Sequence, residues 1–265
     1  MSRSELLRSL QEAYLRFFCD LGIHPHTGAI RLGHCTCDRR FACYPYVGSR
    51  YGQDEGTRLL LVGLDIGADK KKDTAPDCHE GCGTRGVIEC FECRRSSIED
   101  KKLRCHNPHI AGTYFTAMRY PRPVEEWENC KGLERPCQQI LKEEEEGDKL
   151  PKTNALSRIA LTNFYKWVTT DGKDMSTTLN RTNFCREREE RLLVDEVRSL
   201  EPDVVVFQGA DFQKPQFAQL RNSVHEAGAE WHILYHPSRL PSNSAPWHRW
   251  PCEVVRPVES SLANQ

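Results

Sequence analysis

The sequence predicts an α/β fold built on a central, mainly parallel sheet of four strands. Four short, mainly apolar segments, each bounded by turn residues, have the length and composition of buried strands; they occupy 58–64, 158–162, 204–209 and 231–235. Helical patterns at about 183–200 and 215–227 separate the last three runs. This alternation of strand and helix is typical of parallel sheets with right-handed crossovers.

The remaining elements follow along the chain. Ser2 and Glu5 form a capping-box pattern at the start of an amphipathic helix whose apolar spacing extends to Leu21. We expect this helix to pack on a core, in preference to a membrane surface. It belongs, with a Cys-containing loop, to a predicted N-terminal block over 1–57, ahead of a domain over 58–265. An insert at about 68–107 interrupts that domain, and a further helix is predicted around 137–146.

Overall composition limits the functional classes. The 265 residues carry 37 Lys and Arg against 38 Asp and Glu, so overall charge gives no support to nucleic-acid binding and any basic surface must be local. Lys70 and Lys71 lie in one such basic run, for which solvated loop charge is the alternative. No stretch approaches the roughly 20 apolar residues of a membrane span, and no signal peptide opens the chain. We expect a cytoplasmic, monomeric protein without membrane contact.

Three of the predicted strands end on a polar residue suited to chemistry. The first strand leads to Asp65, the second to Asn163 and the last to His236. In open α/β sheets the ligand crevice lies outside the carboxyl ends of the strands, so we expect a carboxylate, an amide and an imidazole to meet there. Taken singly, each has an ordinary alternative, because Asp caps helices, Asn favours turns and His is common in loops.

Together, Gly63-Leu64-Asp65-Ile66-Gly67, Leu161-Thr162-Asn163-Phe164 and Tyr235-His236-Pro237-Ser238 resemble the motifs of the uracil-DNA glycosylase superfamily in order and rough spacing. The resemblance implies a three-layer α/β/α fold and a DNA glycosylase that flips out and excises uracil or a modified pyrimidine, leaving an abasic site. It also implies catalytic roles for Asp65, which stabilises the sugar cation, and His236, which stabilises the departing base anion. Asn163 would read the pyrimidine edge.

The same resemblance implies further contacts with DNA. Ile66 and an aromatic residue, Tyr114 or Phe115, would line the base pocket, and the DNA-binding positions would be Gly67, Lys70, Lys71, Ser238, Arg239 and Leu240. Ile66 stands where most families carry proline or another small residue, and the usual pocket signature after Gly67 is missing. Uracil is the default substrate, and these departures make an enlarged pyrimidine, such as a hypermodified cytosine in viral DNA, the main rival. The biological role would then be defence, beside the alternative of repair.

Cysteine is abundant, with 13 residues, and clustered cysteines in a cytosolic chain more often hold metal than disulfides. Two close pairs, Cys78/Cys82 and Cys90/Cys93, have the spacing of a structural zinc site. Unligated cysteines are the alternative. A second group, formed by Cys35, Cys37, Cys43, Cys130 and Cys137, resembles the ligands of an iron–sulfur cluster in some glycosylase families, although the Cys-x-Cys spacing departs from theirs.

Two other functional classes remain open. A zinc-stabilised protein could bind nucleic acid on the same fold without excising a base. A hydrolase of nucleotides or other phosphates is a third hypothesis, weakened because the sequence has neither a P-loop nor a Gly-x-Ser-x-Gly elbow.

Overall fold

A computed structural model describes ten segments of the chain: residues 2–20, 44–53, 57–64, 91–92, 94–96, 113, 116–117, 155–166, 186–236 and 259–261. Within these segments, helices pack against one mixed β-sheet, which confirms the predicted α/β class. The insert at 68–107 is described at only a few positions, and the helix predicted at 137–146 lies outside the described residues. None of the described helices is long and apolar enough to cross a membrane.

The sheet has six strands in the order β1-β3-β2-β4-β5-β6. Their bounds are Tyr46–Val47 (β1), Leu59–Gly63 (β2), Ile159–Asn163 (β3), Val204–Gln208 (β4), Glu230–Leu234 (β5) and Glu259–Ser260 (β6). The four inner strands pair in parallel, whereas β1 and β6 pair antiparallel with β3 and β5. The two edge strands were not predicted from the sequence, because two residues are too few for a strand pattern to be recognised.

In the part of the chain that the structure describes, bounds can be given for three α-helices, and all three pack against the sheet. Helix α1 spans Arg3–Asp20 and begins with the predicted capping box, in which the Ser2 backbone N–H donates to Glu5 Oε2 at 2.6 Å. Helix α2 spans Arg186–Leu200, and helix α3 spans Ala218–Glu226. The predicted helix over 215–227 is thus only partly α-helical, since Pro215–Phe217 forms a 3₁₀ turn before it.

The described core lies between one face of the sheet and these helices. Alternate residues of the inner strands supply the sheet side of this core, among them Leu60, Val62, Val205 and Phe207. The other face is buried as well; for example, Leu61 and Val206 on that face are at most 1% exposed. Burial of both faces explains the continuous apolar runs of β2 and β4. Both α1 and β1 belong to this structure, so the described parts of the predicted N-terminal block share its core and sheet.

Candidate active site

The carboxyl ends of the inner strands bring two of the predicted site residues to one edge of the sheet. Asn163 is the last residue of β3, and His236 lies two residues beyond the end of β5. Asp65 lies outside the described residues, although its neighbour Leu64 directly follows β2. Between β3 and β5 stand β2 and β4, so at a strand spacing of about 4.8 Å the two strand ends are roughly 14 Å apart.

The strand order identifies where along this edge a ligand is expected. From β2 the chain moves to β3 on one side, and it then crosses β2 to reach β4 on the other side. The boundary between β2 and β4 is therefore the point at which the strand order reverses. In open α/β sheets, ligands bind in the crevice at such a switch point, which here lies beside Gly63 and Gln208, the register partners that end β2 and β4.

Gly63 is required by the position of the Asn163 side chain. These two residues are register partners in neighbouring parallel strands, so their Cα positions present the same face of the sheet. A Cβ atom built on Gly63 would overlap Asn163 Oδ1. The amide of Asn163 therefore lies over the end of β2, close to the switch point.

The backbone around Asn163 is held on both sides. The Phe164 N–H donates to the Gly63 carbonyl at 2.8 Å, and the Tyr165 N–H donates to the Leu64 carbonyl at 2.9 Å, so the pairing of the two strands continues beyond β3. The fully buried Phe164 ring packs edge-on against Phe217, with 5.1 Å between ring centroids. These contacts fix the position of the amide relative to the sheet.

A buried polar network lies on the helix side of the same strand end. Lys166 and Glu196 are 2% and 0% exposed, and Lys166 Nζ donates to both Glu196 carboxylate oxygens at 2.8 and 2.9 Å. The ammonium also donates to Thr162 Oγ1 at 2.7 Å, while the hydroxyls of Thr162 and Tyr14 donate to Glu196 Oε1. The network thereby joins α1, α2 and the residues on either side of Asn163.

The loop after β3 is attached to α2 by a further contact. The backbone N–H of Lys166 donates to Oε1 of the buried Glu189 at 2.7 Å. The sequence contained a sign of these contacts, since Glu196 interrupts the otherwise apolar face of α2. Its partner Lys166 could not be identified from the pattern, because 30 positions separate the two residues.

A second amide residue, which the sequence did not indicate as functional, ends β4. Gln208 is 4% exposed, and it pairs in register with Gly63 on one side and Leu234 on the other. The four residues Asn163, Gly63, Gln208 and Leu234 thus form one row across the carboxyl end of the sheet. Gln208 lies between the strand that carries Asn163 and the strand that leads to His236.

Two rows earlier, on the same face of the sheet, lies a buried histidine. His232 is 3% exposed and shares a face of the sheet with Val206, its register partner on β4. Its Nε2 lies 2.7 Å from Glu230 Oε1. Burial lowers the pKa of His232 below 6.5 and outweighs the opposing influence of the Glu230 carboxylate. The imidazole is therefore neutral at neutral pH.

His236 differs from His232 in its surroundings. It is exposed, and the adjacent Tyr235 is 40% exposed, although both extend from a strand whose interior is buried. An exposed imidazole just beyond the sheet edge is accessible to a large ligand such as a nucleic acid. This placement is compatible with the predicted role at the crevice.

The other predicted site residues lie outside the described part of the chain. They are Ile66, Gly67, Lys70, Lys71, Tyr114, Phe115, Ser238, Arg239 and Leu240, together with the proposed metal ligands Cys78, Cys82, Cys90 and Cys93. Cys19 is the only cysteine within the described segments, and it is exposed. The described residues contain no group of three or more His, Cys, Asp or Glu side chains placed to hold a metal ion. No protein-family model and no curated protein matches the chain.

Proposed function

We propose that the protein is a DNA glycosylase that excises uracil or a modified pyrimidine by hydrolysis of the N-glycosidic bond. The observation that supports this most strongly is the amide of Asn163, which lies over Gly63 at the carboxyl end of β2. Strand β2 leads within two residues to Asp65, and β5 leads to His236. A carboxylate, an amide and an imidazole in this order along the chain are the residues that the resemblance to uracil-DNA glycosylases implies.

The proposal includes the three-layer architecture of that superfamily. Among the described elements, α1, α2 and α3 contribute to the core on one face of the sheet. The opposite face is also buried, as the middle layer of an α/β/α fold requires. The chain passes from β2 to β3 in one direction along the sheet and from β3 to β4 to β5 in the other. Because crossover connections between parallel strands are right-handed, the β2–β3 connection is expected on the face opposite the described helices.

The chemistry assigns one task to each of the three residues. Cleavage of the N-glycosidic bond develops positive charge on the sugar, which the Asp65 carboxylate stabilises while it orients a water molecule. Negative charge develops on the departing base, and His236 donates a hydrogen bond to it. The Asn163 amide, with two donor hydrogens and one acceptor oxygen, reads the edge of a flipped pyrimidine.

The proposed DNA contacts surround these three residues. Ile66 and either Tyr114 or Phe115 would line the base pocket, while the backbone and side chains that follow the first and last inner strands would hold the DNA. A substrate from viral DNA would give the protein a role in defence.

We further propose that Cys78, Cys82, Cys90 and Cys93 hold one structural zinc ion. Zinc would supply folding free energy to an insert that has little apolar content. An iron–sulfur cluster at the second cysteine group is the competing assignment. Elemental analysis of the purified chain distinguishes zinc from iron, and Cys90→Ser with Cys93→Ser should remove zinc alone.

The function is tested with oligonucleotides that carry uracil and with DNA that carries modified cytosines, followed by alkaline cleavage of abasic sites. His236→Ala should lower the rate of base release by about 10²–10³, the usual effect of removing a donor from a developing anion. Asp65→Asn should abolish base release, and both variants should still bind DNA. His225→Ala, at an exposed position on α3, is the matched control.

Two outcomes would contradict the proposal. Full activity in both Asp65→Asn and His236→Ala would exclude this crevice as the catalytic site. DNA binding without any abasic sites would favour the alternative of a nucleic-acid-binding protein without excision.

A further inference from the structure

Gln208 is buried, lies at the end of β4, and carries an amide donor that makes no hydrogen bond with the described residues. Its side chain is 4% exposed, and its Nε2 has no hydrogen-bond partner among the described residues. Buried amides are almost always hydrogen-bonded, because transfer of an amide from water without a replacement partner is unfavourable. An unpaired donor at this position therefore calls for a partner from outside the described residues.

The position of Gln208 indicates where that partner would lie. Gln208 ends β4, beside Gly63 at the point where the strand order reverses. Asn163 occupies the same row of the sheet on the other side of Gly63. Since Gly63 has no side chain, the Asn163 amide lies over it, on the same row and face of the sheet as Gln208.

Gly209, the residue after Gln208, has no described atom near the position of a Cβ. Gly209 has φ of 155°, at the limit of the region that favours glycine, and its N–H donates to the Leu234 carbonyl at 2.9 Å. No atom of the described residues lies within 4 Å of the position that a Cβ would occupy on Gly209. The residue that follows Gln208 is thus not packed against described atoms at its Cβ position.

From these observations we infer that Gln208 is a specificity-determining residue of the crevice, donating through Nε2 to an oxygen-bearing substituent on the pyrimidine ring. The inference rests on the proposed function. Asn163 and His236 already account for the polar atoms of an unsubstituted uracil, so a third buried donor has a use only if the base carries an additional acceptor. A hydroxymethyl group, or a larger group attached through such an oxygen, has this chemistry.

The test measures binding of two free bases, uracil and 5-hydroxymethyluracil, to the full-length chain by calorimetry. The wild-type protein should bind 5-hydroxymethyluracil more tightly. Gln208→Met, which keeps a similar volume and removes the donor, should weaken binding of 5-hydroxymethyluracil by a factor of about 2–10, as expected for one neutral hydrogen bond. Binding of uracil should change by less than twofold. Leu234→Met, in the same row on β5, is the control that alters packing without removing a polar atom.

A second measurement does not depend on any ligand. If Gln208 is unpaired in the free protein, Gln208→Met removes a buried unsatisfied amide and should raise the Tm, by about 2–4 °C for a chain of this size. Leu234→Met should not raise it. A fall in the Tm of Gln208→Met beyond that of the control would overturn the inference, since it would mean that the amide is already used within the protein.

The outcomes separate this inference from the proposed function. If oligonucleotides are cleaved but Gln208→Met affects both bases equally, Gln208 does not determine specificity and the glycosylase assignment stands. If no oligonucleotide is cleaved but the two bases bind with the expected dependence on Gln208, the glycosylase assignment fails and the ligand contact stands. Failure of both bases to bind would overturn the inference.

Discussion

The buried ion pair of Lys166 and Glu196 should make a large contribution to the stability of the site, and Lys166→Met tests this directly. After the substitution the Glu196 carboxylate remains buried, at 0% exposure. It keeps the hydroxyl donors of Thr162 and Tyr14 but loses the Lys166 ammonium. Removing one partner of a buried ion pair costs about 3–5 kcal/mol, because the remaining charge has lost its compensation. We expect a loss of that size in the free energy of unfolding, measured by urea titration with circular dichroism.

A double-mutant cycle distinguishes this cause from a simple packing defect. Glu196→Met alone should be about as harmful as Lys166→Met, whereas the double variant should be less destabilised than the sum of the two by about 3 kcal/mol. Some loss will remain in the double variant, since Tyr14 and Thr162 would have lost their acceptor.

An exposed pair of the same chemistry provides the control. Lys214 Nζ lies 2.5 Å from Asp211 Oδ1, but the lysine side chain is 58% exposed, so Lys214→Met should change stability by only about 0–1 kcal/mol. A loss in Lys166→Met no larger than in Lys214→Met would refute the reasoning. Strictly additive effects in the cycle would show that the two charges do not depend on each other.

Two further predictions concern Gly63 and His232, which lie on the face of the sheet opposite the described helices. Gly63→Ala places a Cβ on Asn163 Oδ1, so it should destabilise the protein by about 1–3 kcal/mol and lower the rate of base release. Adding Asn163→Ala should restore stability without restoring activity. If stability does not recover in the double variant, the clash is not the cause. Because the pKa of His232 is lowered by burial, the unfolded state takes up protons first as the pH falls below about 6.5, and stability should decrease there. Urea titration between about pH 7.5 and 5.5 measures this decrease in the free energy of unfolding. The decrease should be smaller in His232→Gln and unchanged in the control His225→Gln. The same dependence of stability on pH in all three proteins would contradict the prediction.

The sequence was sufficient to predict the α/β class and the inner strands because both faces of those strands are buried. Apolar residues therefore fill β2 at Leu59–Gly63, and in β4 the first polar residue, Gln208, is also the strand end. The capping box at Ser2 was predictable for a similar reason, since its two partners are only three positions apart. Local patterns and continuous burial are visible in one sequence without knowledge of the fold.

The parts that escaped prediction depend on contacts between distant residues. Lys166 is an unremarkable lysine in the sequence, and only its pairing with Glu196 gives it a structural role. Strands β1 and β6 form by adding to edges that exist only after the sheet is assembled. For Gln208 the sequence predicts only a place near the end of a buried strand, because nothing in Val-Val-Val-Phe-Gln-Gly reveals that this amide is buried without a partner among the described residues.

The register of the sheet connects these observations. One row contains Asn163, Gly63 and Gln208, and each residue has a property that the interior of a sheet does not require: an amide that extends over its neighbour, an absent side chain, and a buried donor without a partner. A sheet selected only for stability would place apolar side chains at all three positions, as it does at Leu60, Ala160 and Val205, three rows earlier. Residues that do not suit their local structure are found mainly at functional sites, where function and stability make opposite demands. Their concentration in the last row, at the switch point of the strand order, is the strongest physical reason to look for the ligand there.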